Sequence, residues 1–258
     1  MQVQIKALKK YKALLYELVS RDIKVRYKGS ILGMLWTVLN PILTMLVMTI
    51  VFSRLFRFEI EYYPIYFFCG NLLFQLMSES TTNAMNSIID SSSLIKKVYV
   101  PKYLFPVSKI MSSVVNLLFS LLAMLLIMII LRVPFRATML LSFIPIIYVI
   151  IFSMGLGMIL STIMVFFKDM AQLYHVIILL WMYLTPLFYP VSVLKDNVPI
   201  MLTINPMCHY VQYFRSLVLY GKIPGIMENL ICAMISGIMF VLGVMLFRKS
   251  QDKFILHI

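Results

Sequence analysis

The sequence predicts an all-α polytopic membrane protein with six transmembrane helices, and three observations predict it. Hydrophobic residues fill 62% of the 258 positions, against about 45–50% in a soluble domain. After a basic N-terminus in which nearly every turn carries Lys or Arg, no residue from Gly29 to Ser53 is ionisable. That is the pattern of a segment lying on a membrane face that then crosses it. Apolar runs of about 20 residues, enough to span a hydrocarbon core of about 30 Å, recur with short connections, so the chain holds about six crossings in one domain.

The net charge of +13 is explained by basic residues collected on the cytoplasmic side of a membrane. No basic patch is interleaved with stacking aromatics in a soluble module, so nucleic acid is not an expected partner. Mean hydropathy is +0.94. Cys69, Cys208 and Cys232 stand apart without a CxxC spacing and read as small apolar packing residues. Residues 1–28 lack an apolar stretch followed by a small-residue cleavage site, so they are expected to remain in place, on the cytoplasmic side.

Along the chain, Leu8, Tyr11, Leu15 and Leu18 recur at helical spacing opposite Lys9, Lys10, Lys12, Glu17 and Arg21, which predicts an amphipathic helix within residues 1–28. The first crossing is expected over 30–52, bent at Asn40-Pro41 because proline leaves a backbone carbonyl without its donor. Arg54, Arg57, Glu59 and Glu61 make a neutral outer loop. The second crossing, 64–86, places Asn71, Gln75, Ser78, Glu79, Thr82 and Asn86 at steps of three and four, hence on one helical face.

A basic connection, 90–109, contains Lys96, Lys97, Lys102 and Lys109 with Pro101 and Pro106, and belongs in the cytoplasm. The third crossing follows at 110–131. The fourth is expected at 143–166 after an interfacial lead-in, with Gly155 and Gly157 permitting close helix contact. Lys168-Asp169 makes a short inner turn, and the fifth crossing occupies 170–189.

Residues 191–225 are too apolar for a solvated loop and too often interrupted by Pro199, Pro206 and Pro224 to span. Two short re-entrant helices packed on protein fit them. The sixth crossing, 229–247, leads to an inner tail, 248–258. The inner segments so assigned hold sixteen of the 23 Lys and Arg residues, so both termini of this multi-pass membrane protein are expected in the cytoplasm.

Chemistry is sparse. There is no GxxxxGK[ST] and no HExxH, so ATP hydrolysis is not expected of this chain, and no nucleophile has an evident paired base. His175, His209 and His257 lie too far apart in sequence for a metal site. A glutamate costs roughly 2.5–3.5 kcal/mol at mid-membrane, so Glu79 and its polar face mark a candidate translocation path. The alternative is that Glu79 sits near the cytoplasmic boundary while the amides bond neighbouring helices. Trp36, Trp181 and Tyr183 are candidate sugar-contacting aromatics on that path, whereas Tyr62–Phe68 reads as an interfacial belt.

The motifs also carry a resemblance. Arg21-Asp22, Arg26-Tyr27, Ser30, Leu32-Gly33, Trp36 and Asn40-Pro41, then LIKKVYVPKYLFP (Leu94–Pro106), Lys168-Asp169, LTPLFYPVS (Leu184–Ser192) and NPMCHYVQYFRSLVLYG (Asn205–Gly221) resemble, in order, the blocks of ABC-2 type permeases that export lipid-linked polysaccharides and teichoic acids. One departure is Lys168 where that family often has Arg, a change that keeps the charge. The resemblance implies a non-enzymatic subunit working as a homodimer with two copies of a cytoplasmic ABC ATPase, which binds the ATP and magnesium. It implies an undecaprenyl-linked O-antigen, capsular or teichoic acid substrate, with small lipids or drugs as the alternative cargo. It also implies that residues 1–28 form an interface helix beside the ATPase and that 90–109 carries a coupling helix. Arg21, Asp22, Lys96, Lys97 and Tyr99 are the candidate coupling residues. An embedded lipid-modifying enzyme would need clustered acid, base or metal ligands, and a channel would predict ion flux from this chain alone.

Overall fold

The computed structural model of the chain describes residues 11–27, 33–55, 60–98 and 100–257. Expectations that rest on Leu8, Lys9, Lys10, Ser30, Arg57, Glu59 and Tyr99 lie outside them. Every regular element among the described residues is helical.

Helix α1 covers Lys12–Tyr27. A 3-10 turn at Gly33–Leu35 leads into α2, Trp36–Thr49, which ends in a π-helical turn at Ile50–Leu55. Helix α3 is Tyr63–Asp90, with Pro64 in its first turn, where the missing N–H costs nothing. A short α4, Ser92–Lys97, precedes α5, Leu104–Ile130. The third crossing was expected only from residue 110, but Pro106 sits in the first turn of α5, where its N–H would have no intrahelical partner.

Helix α6 runs Phe143–Phe166 behind a 3-10 lead-in, Ala137–Ser142, with the expected bounds. Helix α7, Met170–Tyr183, stops six residues short of expectation. Pro186 supplies no N–H and turns the residue before it away from helix.

The 191–225 stretch holds three helices rather than two: α8 Val191–Asn197, α9 Ile200–Ile204 and α10 Pro206–Val218. Pro199 and Pro206 each fall at a helix start and separate them. Helix α11, Ile226–Ser250, is longer than expected, and the tail continues as a 3-10 helix, Gln251–Leu256. Phe254 of that tail is buried against Phe247, ring centroids 5.3 Å apart.

Helix α3 is the centre of the bundle. It packs on α5 and α6 along its length and on α10, α2 and α7 elsewhere, and α11 lies along α6 on the far side. The α6–α11 contact is close because Gly155 meets the backbone of Met239, Phe240 and Gly243, leaving no room for a Cβ at either glycine. A Cβ on Gly157 would stand 2.8 Å from that of Ala84 on α3. Helix α1 packs on α5, and its Leu14 and Leu18 join a cluster with Ile88, Ile95, Phe105 and Phe254. Its apolar side is thus covered by protein, though Tyr16 and Val25 stay exposed.

Among the described residues, four segments are long and apolar enough to cross a membrane: Trp36–Ser53, Leu104–Ile130, Ala137–Phe166 and Ile226–Leu256. Helix α3 has 28 residues, about 42 Å, but its polar face lowers its hydropathy. Helix α7 has only 14 residues, about 21 Å. The chain is a multi-pass membrane protein.

Candidate functional site

Helices α1, α2, α3 and α5 enclose a polar cleft of about 360 Å³. Glu79 of α3 is its centre. Arg26 at the end of α1 donates through Nη1 to Glu79 Oε1 at 2.5 Å, and Asn116 Nδ2 of α5 donates to the same oxygen at 2.8 Å. One carboxylate oxygen therefore ties three helices together, and its charge is met by a guanidinium and an amide dipole. The side chains keep 36% and 24% exposure for Arg26 and Glu79, so the pair borders open space.

Around it stand Trp36, Thr37, Asn40 and Pro41 of α2, with Gln75 of α3 and Ser120 of α5. Pro41 provides no N–H to the carbonyl of Thr37, so the α2 wall of the cleft is also where that helix is weakest. Trp36 is 44% exposed. Among the described residues, the side chains of Gln75, Asn40 and Ser120 make no hydrogen bond within the chain. A small annex lined by Ser113 and Leu117 extends the cleft along α5.

Of the predicted path residues, the structure brings Trp36, Gln75 and Glu79 into this cleft. Asn71, Ser78, Thr82 and Asn86 are half-buried on the same α3 face, whereas most other α3 positions are fully buried. Ser78 donates to the carbonyl of Gln75 and Asn86 to that of Thr82, so these two bond their own helix. Trp181 and Tyr183 lie elsewhere. Trp181 donates through Nε1 to Asn205 Oδ1 at 2.7 Å, and Tyr183, 56% exposed, packs edge-on against Phe188.

The Tyr62–Phe68 cluster is not a belt. Tyr63, Tyr66, Phe67 and Phe68 are each at most 3% exposed. The hydroxyl of Tyr63 donates to the carbonyl of Phe188 and that of Tyr66 to the carbonyl of Tyr189. The irregular backbone after α7 has carbonyls to satisfy, and these tyrosines supply the donors.

Sequence reasoning missed Arg215. It is 1% exposed, and its guanidinium donates to the carbonyls of Tyr66, Pro186 and Leu187 at 2.7–3.1 Å while its Cζ lies 3.4 Å from the Tyr66 ring centroid. It joins α10, α3 and the turn after α7. Gly70 makes the space, since a Cβ there would come within 2.8 Å of Arg215 Nη2. A lone cation inside an otherwise uncharged stretch was the available signal. Asn205 was missed as well: its amide caps α10 at the N–H of Met207 and also bonds Trp181, the carbonyl of Leu184 and Thr185 Oγ1.

One turn before Arg26 on α1, Asp22 Oδ1 accepts from Lys109 Nζ at 3.0 Å and from Arg21 Nη2 at 3.4 Å. Lys96 and Lys97 close α4 and are exposed, anchored by buried Ile95. Burial holds the Lys102 ammonium below its usual range, opposed by Asp252. Among the described residues no three His, Cys, Asp or Glu side chains are grouped to hold a metal, and the three cysteines are buried and unpaired.

A protein from Myxococcus xanthus named O-antigen export system permease protein RfbA is 30% identical over 252 residues, covering 97% of both chains. Two proteins of the same name from Klebsiella pneumoniae are 29% and 28% identical, each over 93% of both chains. The family described as ABC-2 type transporter matches residues 13–219, which include all of α1 after Lys12, the cleft and the Arg215 joint. The chain belongs to the ABC-2 type transporter family.

Proposed function

We propose that this chain is the permease subunit of an ATP-driven exporter that carries a lipid-linked O-antigen-type polysaccharide across the bacterial cytoplasmic membrane. The observation that carries the reading is similarity over nearly the whole chain to permeases named for O-antigen export. Capsular polysaccharide and teichoic acid share the same hydroxyl-rich chemistry. The cleft suits it: an exposed indole offers a sugar a face to stack on, while Glu79, Arg26 and unengaged amides offer donors and acceptors for hydroxyls.

Six crossings follow if α3 and α7 also span. A polar helix is tolerated in a membrane when its polar face turns to protein or water, as that of α3 does. The irregular turn after α7 is tolerated where protein covers it, and Arg215 with Tyr63 and Tyr66 does so. Two copies are needed for a conduit. Helix α2 leaves Leu43, Leu46 and Val47 uncovered, its π-helical turn leaves Ile50, and α7 leaves Val176, Ile177 and Leu180, so a homodimer closed over these flanks would turn the cleft into a path.

Without a P-loop, the chain takes its energy from two copies of a cytoplasmic ABC ATPase that binds ATP and magnesium. Lys96 and Lys97 of α4, with Arg21 and Asp22 on α1 and with Tyr99 from the sequence, are the proposed coupling surface, and both termini face the cytoplasm. The test is co-purification with a P-loop ATPase and reconstitution with an undecaprenyl-linked glycan. ATP-dependent appearance of glycan on the opposite face is expected; no stable ATPase partner, or no translocation by the complex, overturns the reading.

A further inference from the structure

A second cavity, of about 350 Å³, opens between the start of α5, the second half of α6 and the end of α11. Val107, Met158, Phe240 and Val244 make most of its lining apolar, and Tyr103, Gln251 and the exposed Arg248 complete it. We propose that this groove holds one acyl chain of an anionic phospholipid whose head group pairs with Arg248.

Three features support that occupant. Arg248 is exposed and, among the described residues, makes no ion pair; Lys249 beside it is exposed too. The acid at this end, Asp252, acts on Lys102. The rim therefore has positive charge to spare. The Tyr103 hydroxyl is buried and has no hydrogen-bond partner among the described residues, so a donor stands unused beside the groove.

The chain of a lipid gains little from such a groove, because the bilayer is equally apolar. Selection therefore rests with the head group, where a basic residue at a membrane surface favours anionic lipid. The location has a consequence for coupling. Lys102 Nζ donates to the carbonyl of Gln251 at 2.6 Å, which fastens the connection after α4 to the C-terminal tail, and the lipid head group would sit at that fastening. The proposal goes beyond the export reading but uses its orientation, in which this end faces the cytoplasm.

Native mass spectrometry of the purified full-length chain, with phosphatidylglycerol and phosphatidylcholine of identical acyl chains added in equal amounts, tests it without any transport assay. Wild type is expected to retain phosphatidylglycerol about fivefold over phosphatidylcholine, the ratio that one paired basic group supplies at a membrane surface. Arg248→Gln should abolish that preference, whereas Lys249→Gln should keep it. Val244→Trp, which fills the groove, should reduce retention of both lipids. Equal retention by wild type, or equal losses in the Arg248 and Lys249 variants, would overturn the proposal, and neither result touches the export reading.

Discussion

Arg26 and Glu79, 53 residues apart in sequence, meet at 2.5 Å across the polar cleft. The pair fastens the N-terminal helix to the centre of the bundle, and both side chains keep some solvent. Its worth to stability is therefore about 1 kcal/mol, and its greater importance is positional.

Glu79→Ala combined with Gln75→Ala should cut glycan export severalfold in cells while the protein still reaches the membrane. The exchange Arg26→Glu with Glu79→Arg should restore part of what either single change loses. Wild-type export by the Glu79/Gln75 variant would return these residues to helix packing.

Arg215→Ala leaves the buried carbonyls of Pro186 and Leu187 without donors, at about 1–3 kcal/mol for each that stays unmet, while that of Tyr66 keeps its place in the α3 ladder. A fall in melting midpoint of the detergent-solubilised protein is the readout. Arg215→Lys should fall less but still clearly, since an ammonium cannot reproduce the planar fork. An unchanged midpoint in both variants would remove Arg215 as the joint between α3, α10 and the turn after α7.

Gly155→Ala and Gly243→Ala should each destabilise by about 1–3 kcal/mol, because the added methyl meets backbone that cannot yield. Gly237→Ala, on the same helix as Gly243 but facing open space, should be neutral or slightly stabilising. Thermal unfolding of the three variants in parallel separates close packing from helix propensity.

Charge reversal at Lys96 and Lys97 should lower substrate-stimulated ATP turnover of the reconstituted complex several-fold with expression unchanged. Both side chains are exposed at the end of α4, so folding should not suffer. Unaltered turnover would take this surface out of the coupling mechanism.

Much of this was legible in the chain because apolar run length and charge placement dictate where helices can cross. Phe143–Phe166 needed only an uncharged run ended by Lys168-Asp169. The polar face of α3 was legible from spacing, and those positions are the half-open ones. Arg215 was hidden because its partners are backbone carbonyls from two segments distant in sequence, which leave no pattern of their own. The Tyr62–Phe68 cluster misled for a related reason: an aromatic run near a helix start has the same composition whether it meets head groups or the turn after α7. Asn116 was overlooked as a single amide in an apolar run, and its meaning came from Glu79 on another helix.

The two ionisable groups that line the cleft cancel one another, so this wall presents no net charge to the voltage across the bilayer. If the cleft is the proposed path, a cargo there would meet a wall whose paired charges sum to zero. In the proposed exporter, selection between cargoes and one-way movement would then fall to parts other than this wall.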